Sequence, residues 1–243
     1  MKKTIVISDM HAPFHDRKLF KKVLKYARDI EPTGIVILGD FLDMKPFASH
    51  QRGSLKVQRQ HTYGAEIKAG SHILDCFDKI ESIEDKDYLY GNHEDRLFRW
   101  LNTGDNGIVD GHVEAPEDAM GMPDRGYKVH TDCKEDFVEL GPLKIIHGLY
   151  AAKLNNAKKH HIDFGDVMFG HTHRWEVYNY GDKSAFNIGF LGDIHGEGFR
   201  YASKIARNNW CNGFATVYHN ENNYLVDSHQ VRNGKFQGGC KVY

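Results

Sequence analysis

The chain has 243 residues, a formal net charge of −1 and 40% hydrophobic residues. This length suffices for one large domain with a sizeable core, and an aromatic content of 12% with mixed charge excludes a disordered chain. No apolar run reaches the roughly 18 residues that a transmembrane helix requires, and the N-terminal residues do not resemble a signal peptide, so we expect no membrane association.

Cysteine and histidine usage narrows the chemistry further. The four cysteines are widely spaced and form no C-x-x-C pair: Cys76, Cys133, Cys211 and Cys240. We expect free thiols and a cytoplasmic location, because unpaired cysteines are typical of reducing compartments. Histidine occurs 16 times, and several copies stand beside Asp, Gly or Asn, where metal sites use them. The near-zero net charge argues against a module that binds nucleic acid through bulk charge.

The first 40 residues predict a strand–helix–strand unit. Residues 4–8 are a short apolar run, typical of a buried strand, that ends at Asp9. Asp16 is a candidate N-cap for the following helix, which carries apolar residues on one face and lysines and arginines on the other. Residues 35–38 predict a second buried strand, which ends just before Asp40.

The middle of the chain is less regular. Residues 88–90 predict a third strand and residues 94–101 a helix. Residues 102–132 are rich in Gly, Asp and Pro with weak periodicity, so we expect a long surface excursion there, either a lid or a variable loop. Later apolar runs predict strands at residues 137–140, 143–146, 167–169, 184–188, 214–218 and 224–226. Since no linker, repeat or low-complexity tract interrupts the sequence, we expect one domain over residues 1–243.

Polar motifs follow five of the apolar runs. They are Asp9-Met10-His11, Gly39-Asp40-Phe41-Leu42-Asp43, Gly91-Asn92-His93-Glu94, His147-Gly148 and Gly170-His171-Thr172-His173. Active sites of α/β folds gather at the carboxyl ends of strands, so we expect these motifs to converge. An i, i+2 spacing after a strand turns both side chains to the same side, as for His171 and His173. Each motif alone has an ordinary explanation, such as a turn for Asp40 or a core histidine for His147, but the ordered series favours a metal centre.

The series D-x-H, G-D-x-x-D, G-N-H-E, H-G and G-H-x-H resembles that of the calcineurin-like metallophosphoesterase superfamily and covers residues 9–173. The resemblance implies the α/β class, as a four-layer α/β/β/α metallophosphoesterase sandwich in a single domain. It also implies phosphoester hydrolysis by a hydroxide that two metal ions activate at the strand ends. The Glu-Asp-Arg run after Gly-Asn-His and residues 209–214 are most similar to compact phage and bacterial members.

The resemblance also implies a ligand set for the two metal ions. Asp9, His11, Asp40 and His173 would hold the first ion. Asp40, Asn92, His147 and His171 would hold the second, so that Asp40 bridges the two. Mixed Asp, His and Asn ligands suit Mn²⁺, Fe²⁺ or Zn²⁺, and we expect Mn²⁺ to be the favoured ion in vitro.

The resemblance implies a different role for His93. In the metallophosphoesterase superfamily, the histidine that follows the ligating Asn faces the substrate. The resemblance therefore implies that His93 protonates the leaving oxygen. Asp43 would orient the imidazole and raise its basicity, as carboxylates do for histidines.

Four further residues are candidate substrate contacts. Arg52 and Arg59 belong to a basic cluster after the second motif, which either binds phosphate or a nucleic-acid backbone or is a solvated helix start. Arg96 either reaches a phosphate oxygen or is an ordinary exposed helical arginine. His195 lies in a Gly-rich run that lacks the Lys-Ser/Thr of a P-loop, and it either faces the site or belongs to a hairpin.

The leading functional prediction is a dinuclear metal-dependent phosphoesterase, a hydrolase acting on a phosphodiester such as a nucleotide or nucleic acid. Protein phosphatases of the superfamily carry arginines where this chain has Met44-Lys45 and Tyr90, which argues against a phosphoprotein substrate. The alternatives are a phosphomonoesterase acting on phosphoprotein or small metabolites, and a non-catalytic scaffold. The scaffold alternative predicts lost ligands, yet every ligand type is present. The sequence identifies no protein partner.

Overall fold

Two β-sheets packed face to face form the centre of the computed structural model, which describes residues 1–49, 61–102, 113–152 and 154–243. The larger sheet contains β1 (Lys2–Ile7), β2 (Gly34–Leu38), β3 (Asp85–Leu89), β4 (Tyr127–His130), β10 (Gly213–His219) and β11 (Tyr224–Gln230). The smaller sheet contains β5 (Val138–Leu140), β6 (Leu143–Ile145), β7 (Val167–Phe169), β8 (Trp175–Tyr180) and β9 (Lys183–Ile188). A separate ribbon pairs β12 (Gln237–Gly238) with β13 (Lys241–Val242).

Six α-helices lie within the described ranges. They are α1 (Arg17–Ile30), α2 (Tyr63–Asp78), α3 (Asp95–Leu101), α4 (Pro116–Ala119), α5 (Asn156–Phe164) and α6 (Lys204–Arg207). Short 3-10 helices occur at Lys45–Phe47 and Glu197–Phe199. None of the described helices combines the length and the apolar composition that crossing a bilayer requires.

Strand direction brings the polar motifs to one edge of each sheet. Strands β1, β2, β3 and β4 are neighbours and run parallel, so their carboxyl ends lie together. Asp9 follows β1, Asp40 follows β2 and Asn92 follows β3. In the smaller sheet β6 and β7 are parallel neighbours, and they are followed by His147 and His171.

The buried hydrophobic residues form three core clusters. Alternate residues of β1 and β2, Ile5 and Ile7 among them, pack against α1 and α2 on the outer face of the larger sheet. The intervening residues, such as Val6, pack against the smaller sheet, whose contribution includes Ile145. Ala157 of α5 packs against β7 and β9 on the other outer face. The predicted four-layer α/β/β/α sandwich, formed as a single domain, is confirmed.

Helix α1 forms as the sequence predicts. The Asp16 side chain accepts hydrogen bonds from the backbone N–H groups of Lys18 and Leu19, which caps the first turn. The apolar face is buried against the sheet, and the lysines and arginines lie on the solvent side. The helix ends at Glu31, which adopts a left-handed conformation with φ of 49°.

The segment after α3 differs from the surface excursion expected over residues 102–132. Strand β4 pairs in parallel with β3 and forms one edge of the larger sheet. Met120, Met122 and Tyr127 are buried in the core that also contains α1 and α2. The expectation was wrong for residues 116–130 because short elements of four residues leave no periodicity to detect among the intervening Gly, Pro and Asp. Residues 103–112 of the expected excursion lie outside the described ranges.

The Glu94 side chain connects the second and third motifs through hydrogen bonds. Its carboxylate is fully buried and accepts hydrogen bonds from the backbone N–H groups of Asp40 (3.0 Å), Leu42 (2.9 Å) and Gly91 (2.9 Å). Burial raises the pKa of Glu94, and the negative charge of Asp40 raises it further. The side chain therefore fixes the turn after β2 against the turn after β3.

Glu66 holds the next part of the same loop from α2. Its buried carboxylate accepts hydrogen bonds from the backbone N–H groups of Met44 (2.6 Å) and Lys45 (3.1 Å). Met44 has a φ of 48°, a left-handed conformation that is uncommon for residues other than glycine. Burial, and then repulsion from Asp43, raises the pKa of Glu66 well above its usual value. Glu66 thus stabilises the turn that follows Asp43.

We expect Glu66→Ala to lower the free energy of unfolding by about 2–4 kcal/mol, because two buried backbone N–H groups lose their acceptor. Glu66→Gln keeps one acceptor oxygen and should lose less. Urea denaturation followed by circular dichroism measures the change. Exposed Glu81→Ala, close to the end of α2, is the control and should change stability by less than about 0.5 kcal/mol. Wild-type stability in Glu66→Ala would contradict the role of these two bonds.

Candidate metal centre

Side chains from the five motifs converge where the carboxyl ends of the two sheets meet. Within the described residues, three groups bring their ligand atoms to within 4.8 Å of one another: Asp9 with His11 and His173, Asp40 with His11 and His93, and Asp40 with His147 and His171. His11 and Asp40 are each shared between two groups. All seven residues are buried or nearly so, which is typical of a built metal site.

The first group is formed by the first and last motifs. His11 Nε2 lies 2.9 Å from His173 Nε2 and 3.9 Å from Asp9 Oδ1. Asp9 Oδ1 also lies 3.4 Å from His173 Nε2, yet this buried oxygen makes no hydrogen bond of ordinary geometry. Its other oxygen accepts hydrogen bonds from the Ser8 hydroxyl and the His171 N–H. A cation among these atoms would satisfy the carboxylate oxygen that remains.

The group of Asp40, His147 and His171 is formed by the second, fourth and fifth motifs, and Asn92 of the third motif lies beside it. His147 Nε2 lies 3.4 Å from Asp40 Oδ1, 3.3 Å from Asn92 Oδ1 and 3.2 Å from His171 Nδ1. His147 Nδ1 lies 3.0 Å from the carbonyl oxygen of Leu38 and donates its proton to it, because a carbonyl only accepts. The lone pair of Nε2 is then directed at the group, as in histidines that bind metals.

Asp40 belongs both to the group with His11 and His93 and to the group with His147 and His171. Its Oδ2 is 4.0 Å from His11 Nε2 and 3.7 Å from His93 Nε2. Its Oδ1 faces His147 and accepts a hydrogen bond of 2.8 Å from the backbone N–H of His93. The two oxygens of one carboxylate therefore face different histidines, which is the arrangement a bridging ligand needs.

The ligand side chains reach the site through unusual backbone. Asp9, His11, Asp40, His171 and His173 all have positive φ, between 46° and 65°. Such conformations cost about 1–3 kcal/mol each for a residue other than glycine, and they concentrate at functional sites. The residues therefore do not continue the strands. His171 and His173 both point into the centre, where they enter different groups.

The glycines of the motifs make room for the carboxylates. A Cβ atom on Gly91 would collide with the backbone and carboxylate of Asp40. A Cβ atom on Gly170 would collide with Ser8 and with the carboxylate of Asp9. The glycines of G-N-H-E and G-H-x-H are thus required by close approach of one strand end to the next.

The charges within the centre explain the protonation of its histidines. Burial raises the pKa of Asp9, but contacts with His173 outweigh burial, and the net shift is downward. Burial, helped by His147, lowers the pKa of His171 to about 4, so this imidazole is neutral at pH 7. Burial also acts to lower the pKa of His147, but the charges of Asp40 and Asp9 raise it overall. A metal ion would replace such protons as the compensating positive charge.

His93 is held on both ring nitrogens. Nδ1 lies 2.8 Å from the carbonyl oxygen of Asp43, and Nε2 lies 2.6 Å from Nη2 of Arg96. Since a carbonyl accepts and a guanidinium donates, the ring is the neutral form with its proton on Nδ1. Burial lowers the pKa of His93 well below its usual value, and the charges of His11 and Arg96 lower it further.

Asp43 contacts two histidines in different ways. Its carboxylate Oδ1 lies 3.3 Å from His11 Nδ1 and 3.6 Å from His93 Nδ1. The hydrogen bond to His93 comes instead from the backbone carbonyl, which also accepts a bond of 2.8 Å from Arg96 Nη1. The carboxylate is therefore closer to His11 than to the imidazole it was expected to orient.

The four residues that the sequence suggested as substrate contacts differ in their position relative to the centre. Arg52 and Arg59 lie outside the described ranges. Arg96 reaches the centre through its bonds to His93 and Asp43. His195 is exposed on a turn, where its backbone N–H donates to Asp193 Oδ1, and it belongs to none of the ligand groups found among the described residues.

An aromatic wall that the sequence did not predict closes one side of the first group. The ring of Phe190 stacks on His173 at 4.4 Å, and Trp210 meets the same imidazole edge-on at 4.5 Å. The ring of Phe199 lies edge-on to His11 at 5.2 Å. The only signal was the aromatic content of residues 189–214, because the pairing of these rings depends on contacts between distant segments.

The chain is similar in sequence to two phage proteins. No family model matches the chain. It is 26% identical over 238 residues to the "Gene 54 protein" of Mycobacterium phage L5, covering 89% of this chain and 88% of that protein. It is 23% identical to the "Gene 54 protein" of Mycobacterium phage D29, covering 97% and 96%.

Among solved structures, Vacuolar Protein Sorting 29 from Cryptosporidium parvum matches with a TM-score of 0.51 and 12% identity, over 100% of this chain and 97% of that chain. The YfcE phosphoesterase of E. coli matches at 0.42 and 16%, over 89% and 88%. The chain has the four-layer α/β/β/α fold that its motifs imply and shares this fold with Vacuolar Protein Sorting 29, and its length is close to that of the two phage proteins.

Proposed function

We propose that the chain is a dinuclear metal-dependent phosphoesterase that hydrolyses phosphodiesters. The observation that carries this proposal is the meeting of donor atoms from all five motifs in adjoining groups that His11 and Asp40 link, since each of these two residues belongs to two groups. Two divalent cations would supply Lewis-acid activation of water and would neutralise charge on the phosphate.

The four free cysteines are consistent with the expected reducing, cytoplasmic compartment.

The donor set fits such ions. Asp9, His11, Asp40 and His173 are proposed to hold the first ion, and Asp40, Asn92, His147 and His171 the second. The unsatisfied oxygen of Asp9 and the lone pair of His147 Nε2 both support this assignment. Asp, His and Asn donors suit Mn²⁺, Fe²⁺ or Zn²⁺.

His93 is the proposed proton donor to the leaving oxygen. The Asp43 carbonyl holds Nδ1, so Nε2 is the atom that would carry the transferred proton. Arg96 donates to Nε2 in this structure, and its guanidinium is close enough to contact a phosphate oxygen beside His93. The negative charge of a bound phosphate would favour the protonated ring and would so oppose the effect of burial and of Arg96 on the pKa of His93.

A phosphodiester is preferred to a monoester because arginine is absent from the two sequence positions that protein phosphatases use. A phosphomonoesterase is the second candidate, and it is separated from the first by a direct comparison of substrates. A non-catalytic scaffold is disfavoured because the donor set is intact.

The primary experiment compares Mn²⁺-dependent hydrolysis of bis-p-nitrophenyl phosphate and p-nitrophenyl phosphate. We expect turnover of the diester, and we expect Asp40→Asn to lower it at least about 100-fold and to reduce the metal content measured by mass spectrometry. Exposed Asp182→Asn is the control and should retain both.

Preference for the monoester would favour the second candidate. Absence of turnover with metal bound would favour the scaffold. Near-normal turnover in Asp40→Asn, with full metal content, would contradict the bridging role of Asp40.

We expect His93→Ala to retain its metal and to lose about 100-fold or more in kcat with a phenyl ester, because general-acid catalysis matters most for poor leaving groups. The loss should be smaller with the corresponding p-nitrophenyl ester. Since His93 lies 3.7 Å from Asp40 Oδ2, metal analysis is the decisive control. A variant that loses one ion would identify His93 as a ligand and contradict the proposed role.

A further inference from the structure

The segment between β9 and β10 carries an exposed aromatic ring beside the metal centre. Within it, Phe199 is fully buried and lies edge-on to His11 at 5.2 Å and to His173 at 5.8 Å. Tyr201 follows two residues later, with its ring centroid 6.5 Å from that of Phe199. Tyr201 is 61% exposed. One buried ring therefore separates an open tyrosine from a proposed metal ligand.

Burial raises the pKa of the Tyr201 hydroxyl group to about 12, and the negative charges of Asp43 and Asp40 raise it further. The side chain thus senses the charge of the second motif, while the residue as a whole remains largely exposed.

Positively charged residues flank Tyr201 along the chain. Arg200 and Lys204 are exposed on the same segment, before and after Tyr201. On the neighbouring surface, Lys45 Nζ lies 4.6 Å from the ring of Phe14, which packs directly against Gly198. Cations that flank an exposed aromatic ring form the usual surface for a single-stranded nucleic acid, whose bases stack while its phosphates pair with the cations.

We propose that Tyr201 is a stacking platform for the nucleobase next to the scissile phosphate, so that the substrates are nucleoside phosphodiesters, including single-stranded nucleic acid. This inference rests on the proposed phosphoesterase function. A base is joined to its own phosphate through one sugar, and the platform lies one ring away from the metal ligands. Arg200 and Lys204 would contact the phosphates of adjoining nucleotides.

The test compares two diesters with the same leaving group, the p-nitrophenyl ester of thymidine 5′-phosphate and methyl p-nitrophenyl phosphate. Because the leaving group is shared, the ratio of their kcat/KM values reports contacts with the nucleoside. We expect the wild type to prefer the thymidine ester. Tyr201→Ala should lower this ratio about 10-fold, mainly through KM, since one stacked base supplies binding energy of this order.

Two variants serve as controls. Tyr201→Phe keeps the ring and should keep the ratio. Tyr180→Ala removes a ring that is 72% exposed on β8, away from the metal centre, and should also keep the ratio. A wild-type ratio in Tyr201→Ala would overturn the platform, and so would an equal loss of the ratio in Tyr180→Ala.

Binding of fluorescein-labelled hexathymidylate, measured by anisotropy, separates the platform from the proposed function. Tyr201→Ala should weaken binding about 10-fold, and Tyr201→Phe should not. A wild type that hydrolyses neither ester but shows this loss of binding would contradict the phosphoesterase function and support the platform. Equal binding by wild type and Tyr201→Ala would overturn the platform, whether or not the esters are hydrolysed.

Discussion

Burial of two carboxylates, those of Asp9 and Asp40, is the constraint around which the structure is organised. Asp9 is fully buried and Asp40 is 2% exposed. A buried carboxylate is costly unless positive charge or hydrogen-bond donors compensate it. Within the described residues, part of that compensation comes from the imidazoles of His11, His147 and His173, and part from the backbone N–H of His93, which donates to Asp40. A pair of carboxylates so placed is suited to divalent cations.

The surrounding backbone holds these two carboxylates in place by adopting conformations that are energetically unfavourable. Strained turns follow several strands, and glycines at the strand ends allow the carboxylates to approach neighbouring backbone. Two further carboxylates, from Glu94 and Glu66, hold the loop after β2 through four backbone hydrogen bonds, and Glu94 accepts a fifth from Gly91 after β3. Preorganisation of this kind is what metal sites and catalytic sites require, because their ligands must not relax when charge changes.

The two sides of the centre differ in a way that bears on the substrate. The rings of Phe190, Phe199 and Trp210 pack around His11 and His173 and close one side. The side near His93 carries Arg96, whose charge is suited to a phosphate group. Under the proposed function, we expect specificity to depend on the segment between β9 and β10 and on the loops beside it, rather than on the proposed metal ligands.

Much of the site was predictable because its information is local. Each motif follows an apolar run, and the order of the motifs along the chain carried the fold prediction and the proposed ligands. Strand β4, the bonds from Glu66 and Glu94, the aromatic wall and the contact of the Asp43 carboxylate with His11 were not predictable. Each of these joins residues far apart in the chain, and a buried hydrogen bond or ring contact leaves no periodic pattern at either end. Apolar periodicity and motif order are properties of the sequence, whereas pairing between distant segments is decided by how the two sheets and their loops pack.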